Sequence, residues 1–232
     1  MKAAVLFSGG KDSCLALQKS MCSHKIACLV TVFSENKESY MFHVPNIELT
    51  SLQAEALNLP QIKCYTTGVK EREVEDLKEA LKTCKIEYGI EGVVSGAIRS
   101  NYQAQRIKKI CDELGLFPIN PLWLKDEVEI LREVLSNKYT VIISGVFAYP
   151  LGKNLLGKVI DEELVNLLAD YGKRYGLNPA GEGGEIETTV LDAPFFSKKI
   201  EILDYEIEYS QYSGVFRVKG ARLVEKAEKT YG

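Results

Sequence analysis

The opening residues, MKAAVLFSGGKDSCLALQKSMC, run from an apolar stretch through two glycines straight into a segment with helical periodicity. Such a junction leaves the first backbone N–H groups of the helix without intrahelical partners. It aims them, with the positive end of the helix dipole, at whatever sits above the loop. Residues 8 to 13, SGGKDS, therefore read as an anion site. Gly9 and Gly10 let the backbone approach a ligand closely, Ser8 and Ser13 offer hydroxyls, and Lys11 brings a point charge for phosphate oxygens. The spacing is not that of a Walker A loop, which needs G-x-x-x-x-G-K-[ST].

The same strand-then-helix order repeats down the chain. AAVLF leads into a helix over 12–22, IACLVTVF precedes one over 47–58, and IKCYTT precedes one over 71–86 that puts Val74, Leu77, Leu81 and Cys84 on one face. GVVSGAI, a helix over 102–114 (Ile107, Ile110, Cys111, Leu114), a helix over 126–136 and YTVIISGVF continue the series. This order predicts an α/β fold, a doubly wound and mostly parallel sheet of five or more strands with helices on both faces and ligands at the strand C-terminal ends. Residues 8–13 lie at one such end and Ser95 to Ser100 at another. After Tyr149 the pattern changes to a helix over 161–175, the loop AGEGGEIET and an alternating stretch with a Tyr212-Ser213-Gly214 turn, which reads as an antiparallel hairpin. The expected division is a domain over 1–149 and a small α+β annex over 150–232.

A net charge of −3 argues against a chain built to hold a nucleic-acid backbone, which calls for a basic surface. The six cysteines, with no CxxC pair, read as small buried hydrophobes in a reducing compartment and not as a zinc or iron–sulfur centre. No run approaches the ~20 apolar residues of a membrane span, and the apolar N-terminus is too short for a signal peptide. A soluble, cytoplasmic protein with no membrane association is expected.

SGGKDS after a first strand resembles the PP-loop of the ATP pyrophosphatases, a family that splits ATP into AMP and pyrophosphate while activating a carbonyl or carboxylate. SGAIRSNYQAQRIKKICDELGL followed by NPLW, and GEGGEIETTVLDAPFF, narrow the resemblance to the diphthine-ammonia ligase family and extend it over nearly all of the chain. The resemblance implies a Rossmann-like nucleotide domain and ATP with Mg2+. It also implies ammonia as co-substrate and a protein substrate, translation elongation factor 2 bearing diphthine. It assigns pyrophosphate and Mg2+ to Ser8, Gly9, Gly10, Lys11, Asp12 and Ser13, with Lys11 and Asp12 catalytic and Asp12 toward the metal; Gly96 would flank the nucleoside.

Arg99, Tyr102, Gln103 and Arg106 fall on one helical face that could clamp a phosphate or carboxylate, against the plainer reading of a solvated surface. In GEGGEIET, Glu182, Glu185 and Glu187 concentrate three carboxylates, Gly183 and Gly184 permit unusual backbone shapes, and Thr188 closes the stretch. Two roles compete there with that of an ordinary acidic surface loop. One is recognition of the trimethylammonium group of diphthine, with Trp123 or a tyrosine as an aromatic face; the other is ligation of Mg2+. His43 is assigned to the substrate side of the cleft, although a lone histidine at a strand end more often simply packs; His24 reads as surface. A glutaminase would need an activated nucleophile, and with Met-Lys at the N-terminus free ammonia is the simpler nitrogen donor. Other readings are a tRNA-modifying PP-loop enzyme of thiolation or lysidine type, and a nucleotide sensor without turnover. Oligomeric state is left open, a homo-oligomer being allowed.

Overall fold

The computed structural model describes residues 1–34, 45–69 and 72–227. Strands β1 (Lys2–Leu6), β2 (Lys25–Ser34), β3 (Gln61–Thr66), β4 (Gly92–Val94) and β5 (Phe117–Ile119) form one sheet in the order β3-β2-β1-β4-β5, every pair parallel. The connections are helices α1 (Lys11–Met21), α2 (Thr50–Leu57), α3 (Arg72–Tyr88) and α4 (Asn101–Leu114). The period-2 alternation of the strands sorts the core into two layers. Ala3, Val5, Phe7 and Leu29 pack with Cys14, Leu15 and Leu17 of α1 and Ala54 and Ala56 of α2. Ala4, Cys28, Val30 and Val32 face the other way, onto Leu77, Leu81 and Cys84 of α3 and Ile107, Ile110 and Cys111 of α4. Both of those helical faces are the ones the periodicity marks out.

After α5 (Glu127–Ser136) come β6 (Thr140–Val146), α6 (Glu162–Tyr175), β7 (Ile186–Asp192), β8 (Lys198–Ser210) and β9 (Ser213–Glu225). These four strands make a second, antiparallel sheet, ordered β7-β6-β9-β8. The doubly wound parallel sheet with a smaller annex is therefore present, but its fifth strand is not the expected one. YTVIISGVF, read as continuing the parallel series, is β6 and pairs antiparallel with both β7 and β9. An apolar run buried on both faces looks the same in a parallel sheet and in the middle of an antiparallel one. The strand that does close the parallel sheet is FPI, three residues with a proline at an edge, too short and too poor in donors to stand out. By sheet membership the parallel part ends at β5, ahead of the 149/150 position expected from the sequence. The β8–β9 turn also sits one residue earlier than expected: Gln211 and Tyr212, at φ 47° and 64°, are its two central residues, and Ser210 pairs with Ser213. Both central residues at positive φ match the right-handed twist of the strands.

Candidate active site

The chain leaves β1 in both directions, to β2 and β3 on one side and to β4 and β5 on the other. That reversal opens a crevice at the C-terminal ends of β1 and β4, where open α/β sheets take their ligands. Ser8–Gly10 and Ser95–Ser100 form its two lips.

Gly10 is the N-cap of α1 and offers no side-chain cap, so the donors of the first helical turn are left for other partners. One partner comes from the second sheet: the Lys11 N–H donates to Thr188 Oγ1 at 3.1 Å. The Val190 N–H donates to the Gly9 carbonyl at 3.0 Å, and buried Gln53 of α2 donates Nε2 to the carbonyls of Gly9 (2.9 Å) and Val190 (2.7 Å). The glycine pair thus admits close approach by the protein itself. Gly9 sits at φ +77°, and a Cβ on Gly10 would stand 3.1 Å from the Thr188 carbonyl oxygen. Ser13 Oγ donates to the Gly10 carbonyl at 3.0 Å, and Ser8 Oγ reaches Ser13 Oγ at 3.3 Å.

Lys11 is 2% exposed. Its ammonium donates to Asp12 Oδ2 at 2.9 Å and to the carbonyl of Ala180, in the loop before β7. Asp12 Oδ1 is buried without a hydrogen-bond partner. Glu187, half-buried on β7 beside Thr188, has its carboxyl pushed up to about 7; burial is the main cause, with Lys11 pulling it down and Asp12 pushing it further up. Two carboxylates and one ammonium therefore converge beside the N-terminus of α1. An orphaned carboxylate oxygen next to an ammonium suits a polyphosphate carrying a hard cation, since such cations take one or two carboxylates and complete their shell from phosphate oxygens and water. No group of three or more His, Cys, Asp or Glu able to hold a metal by itself occurs among the described residues.

On the other lip, Gly96 is pressed against α1: a Cβ there would lie 2.9 Å from the Asp12 carbonyl carbon and 3.0 Å from the Ser13 nitrogen. Ser95 Oγ donates to Asn120 Oδ1 at 2.8 Å. The expected common face of Arg99, Tyr102, Gln103 and Arg106 does not form as drawn. Ser100 caps α4, accepting the Gln103 N–H at 3.3 Å, so Arg99 lies outside the helix and the helical period does not reach it. Arg99 instead pairs through Nε with Glu127 of α5 at 2.9 Å, while the Arg106 guanidinium lies 3.5 Å from the centroid of the Tyr102 ring. Trp123 is half-buried in the turn after β5, its backbone N–H donated to the Asn120 carbonyl at 3.2 Å.

The three glutamates of the acidic loop point to three different places. Glu182 Oε1 accepts the backbone N–H groups of Ile98 (3.0 Å), Arg99 (2.8 Å) and Ser100 (2.8 Å). Glu185 Oε1 accepts the Asn178 N–H at 3.3 Å while its Oε2 is buried without a partner. Glu187 feels the charges of Lys11 and Asp12. Gly183 and Gly184 are exposed, Gly184 at φ +84°. His43 lies outside the described residues. The motifs do not point to Gln53, Asn178 or Ala180. A glutamine in the small-residue run LQAEA and the Asn-Pro of LNPAG were signals for the first two; a backbone carbonyl acceptor such as that of Ala180 leaves none.

Residues 1–118 match the diphthamide synthase N-terminal domain family and residues 126–224 the diphthamide synthase C-terminal domain family. Among curated proteins, the diphthine-ammonia ligase of Rattus norvegicus is 34% identical over 100% of this chain and 96% of its own length. That of Homo sapiens is 35% identical over 89% and 85%. Among solved structures, one titled as a predicted subunit of a tRNA methyltransferase from Methanocaldococcus jannaschii superposes with a TM-score of 0.44 at 19% identity, over 83% of this chain and 97% of its own.

Proposed function

We propose that this chain, which belongs to the diphthamide synthase family, is an ATP-dependent ligase that amidates the diphthine carboxylate of translation elongation factor 2. A diphthine carboxylate oxygen attacks the α-phosphorus of ATP, the bond to the bridging oxygen breaks, and pyrophosphate leaves with the electron pair. Ammonia then attacks the acyl carbon, AMP departs from the acyl-adenylate, and the nitrogen loses a proton to give the amide. The observation that carries this reading is the Lys11–Asp12 pair at the uncapped N-terminus of α1, at the switch point of the sheet and under the acidic loop of the second sheet.

In this scheme Ser8 to Ser13 and the first turn of α1 take the leaving pyrophosphate, whose charge grows in the transition state. Asp12 is the residue that would hold Mg2+, which would neutralise phosphate charge. Gly96 and the β4 lip flank the nucleoside, with Tyr102, Gln103 and Arg106 at the start of α4. Glu187 is the carboxylate best placed for the substrate cation, because the trimethylammonium and the reacting carboxylate of diphthine share one carbon, Glu187 feels the Lys11 charge next to Thr188, and Glu182 and Glu185 are engaged by backbone N–H groups. Positioning and charge stabilisation supply most of the catalysis. No helix among the described residues is long and apolar enough to cross a membrane.

The test is incubation with ATP, Mg2+, ammonium and diphthine-bearing elongation factor 2. Replacement of one oxygen by NH on the factor, with AMP formed in step, supports the reading; formation of ADP overturns it.

Three of the six thiols, Cys14, Cys64 and Cys111, speak against sulfur transfer. Cys14 is fully buried and its thiol is pushed well above the usual range by burial, then by Asp12; Cys64 and Cys111 are pushed up to about 11, again by burial first. A thiol of that kind supplies almost no thiolate at neutral pH. Cys14→Ala and Cys111→Ser are therefore expected to leave the amidation rate within about twofold of wild type, since both side chains serve packing. A folded Cys14→Ala protein without activity would restore the thiolation reading.

A further inference from the structure

Glu182 lies in the stretch read as an acidic substrate loop, yet its carboxylate is already committed. One oxygen receives three consecutive backbone donors, from Ile98, Arg99 and Ser100, across 82 to 84 residues of sequence. Converging N–H groups of this kind make an anion-binding concavity, and a carboxylate bound in one is held by charge-assisted bonds about twice as strong as neutral ones.

The mount of Glu182 is itself tied down by hydrogen bonds. Asn178 Oδ1 accepts the N–H groups of Ala180 (3.0 Å) and Glu182 (3.3 Å), the Gly184 N–H donates to the Gly181 carbonyl, and the Ala180 carbonyl takes the Lys11 ammonium. The turn it holds is equally well connected. Two residues before Ile98, Gly96 touches the backbone of Asp12 and Ser13; the Ile98 carbonyl accepts the Leu124 N–H at 2.8 Å, and the Ser100 side chain starts α4. Glu182 thus ties the second sheet to the β4 lip, and through Gly96 that lip sets its distance from SGGKDS.

We propose that Glu182 is a positioning residue of the nucleotide crevice, holding the β4–α4 turn in its ligand-ready shape through the N–H groups of residues 98–100, and is not a contact for the substrate cation. The assignment rests on the nucleotide reading of SGGKDS and requires nothing of the protein substrate. Without the carboxylate the three donors lose their common partner, and the lip is free to move by fractions of an ångström against α1. Displacements of that order are enough to weaken a site that works by placement.

The experiment is calorimetric binding of α,β-methylene-ATP with Mg2+, without protein substrate, to wild type, Glu182→Gln and Glu182→Ala, with thermal unfolding of each protein alongside. Glu182→Ala is expected to raise the dissociation constant about tenfold, and Glu182→Gln, which keeps an oxygen acceptor but not its charge, about threefold. Unfolding midpoints should stay within a few degrees of wild type, and the KM for diphthine-bearing elongation factor 2 at saturating ATP within about twofold. Nucleotide affinity unchanged in both variants overturns the assignment, as does tighter nucleotide binding, which would make Glu182 a competitor in the nest. A raised KM for the protein substrate with unchanged nucleotide affinity returns Glu182 to the substrate. Should Glu182→Ala fail to fold, the threefold change in Glu182→Gln decides alone. A wild-type protein that does not bind the analogue defeats the nucleotide reading itself, a result distinct from all of these.

Discussion

Lys11→Ala is expected to lower the rate of AMP formation by about a hundredfold or more, because a charge set against leaving pyrophosphate acts mainly in the transition state. The lysine is also packed, 2% exposed and bonded to Asp12 and to the Ala180 carbonyl. Removing it leaves Asp12 without its cation and one loop carbonyl without its donor, at a cost on the order of 1–3 kcal/mol of stability. The kinetic result is therefore read only beside an unfolding curve that shows a folded variant. Lys11→Arg, which keeps the charge but must fit a larger planar group into the same space, should fold and recover only part of the rate. Wild-type turnover in a folded Lys11→Ala protein would remove the loop from the mechanism.

Glu187→Gln separates stability from function. The folded protein holds this carboxyl at about 7 against an ordinary value of 4.5, so folding favours the protonated form. Below the ordinary value both the folded and the unfolded chain are protonated and the residue contributes no pH dependence. Between the two values the unfolded chain gives up its proton while the folded chain keeps it, so stability falls as pH rises and the cost is complete above about 7, on the order of 1–3 kcal/mol. Glutamine carries no charge to bury. The ligand-free variant should melt several degrees above wild type at pH 8, with the difference vanishing toward pH 4.5, as thermal unfolding across that range would show. A midpoint difference that does not vary with pH would contradict this origin. If Glu187 receives the trimethylammonium group, the KM for diphthine-bearing elongation factor 2 rises about tenfold or more while calorimetric binding of ATP with Mg2+ survives. If it ligates Mg2+, the loss falls on nucleotide binding instead. A stabilised variant with impaired turnover would mark a carboxylate kept for function at the expense of the fold.

The acidic stretch shows how far a linear reading carries. Three glutamates within six residues look like one cluster, and only their placement separates them: Glu182 in a loop reaching the β4 lip, Glu185 turned to Asn178, and Glu187 on a strand beside Lys11. Arg99 is a second case. Counting along a helix groups it with Tyr102, Gln103 and Arg106, but the Ser100 cap starts the helix after it. The cap signal, a serine ahead of NYQ, was in the sequence; that it outweighed the helical count was not.

The sequence by itself determined what short-range physics decides. The short apolar runs of β1 and β2, the faces of α3 and α4, and the strand-to-helix turn at SGGKDS all depend on residues within a few positions of one another, where period and backbone preference act directly. Only the tertiary structure decided which sheet β6 joins, that Lys11 is buried under Ala180, that Thr188 and Gln53 hold the glycine loop, and that Glu182 fastens the opposite lip. The hydrogen bonds among them join residues 44 to 177 positions apart. Their partners are backbone groups or ordinary polar side chains that leave no periodic trace, and each is fixed by how the two sheets pack and by the requirement that buried donors and acceptors be paired.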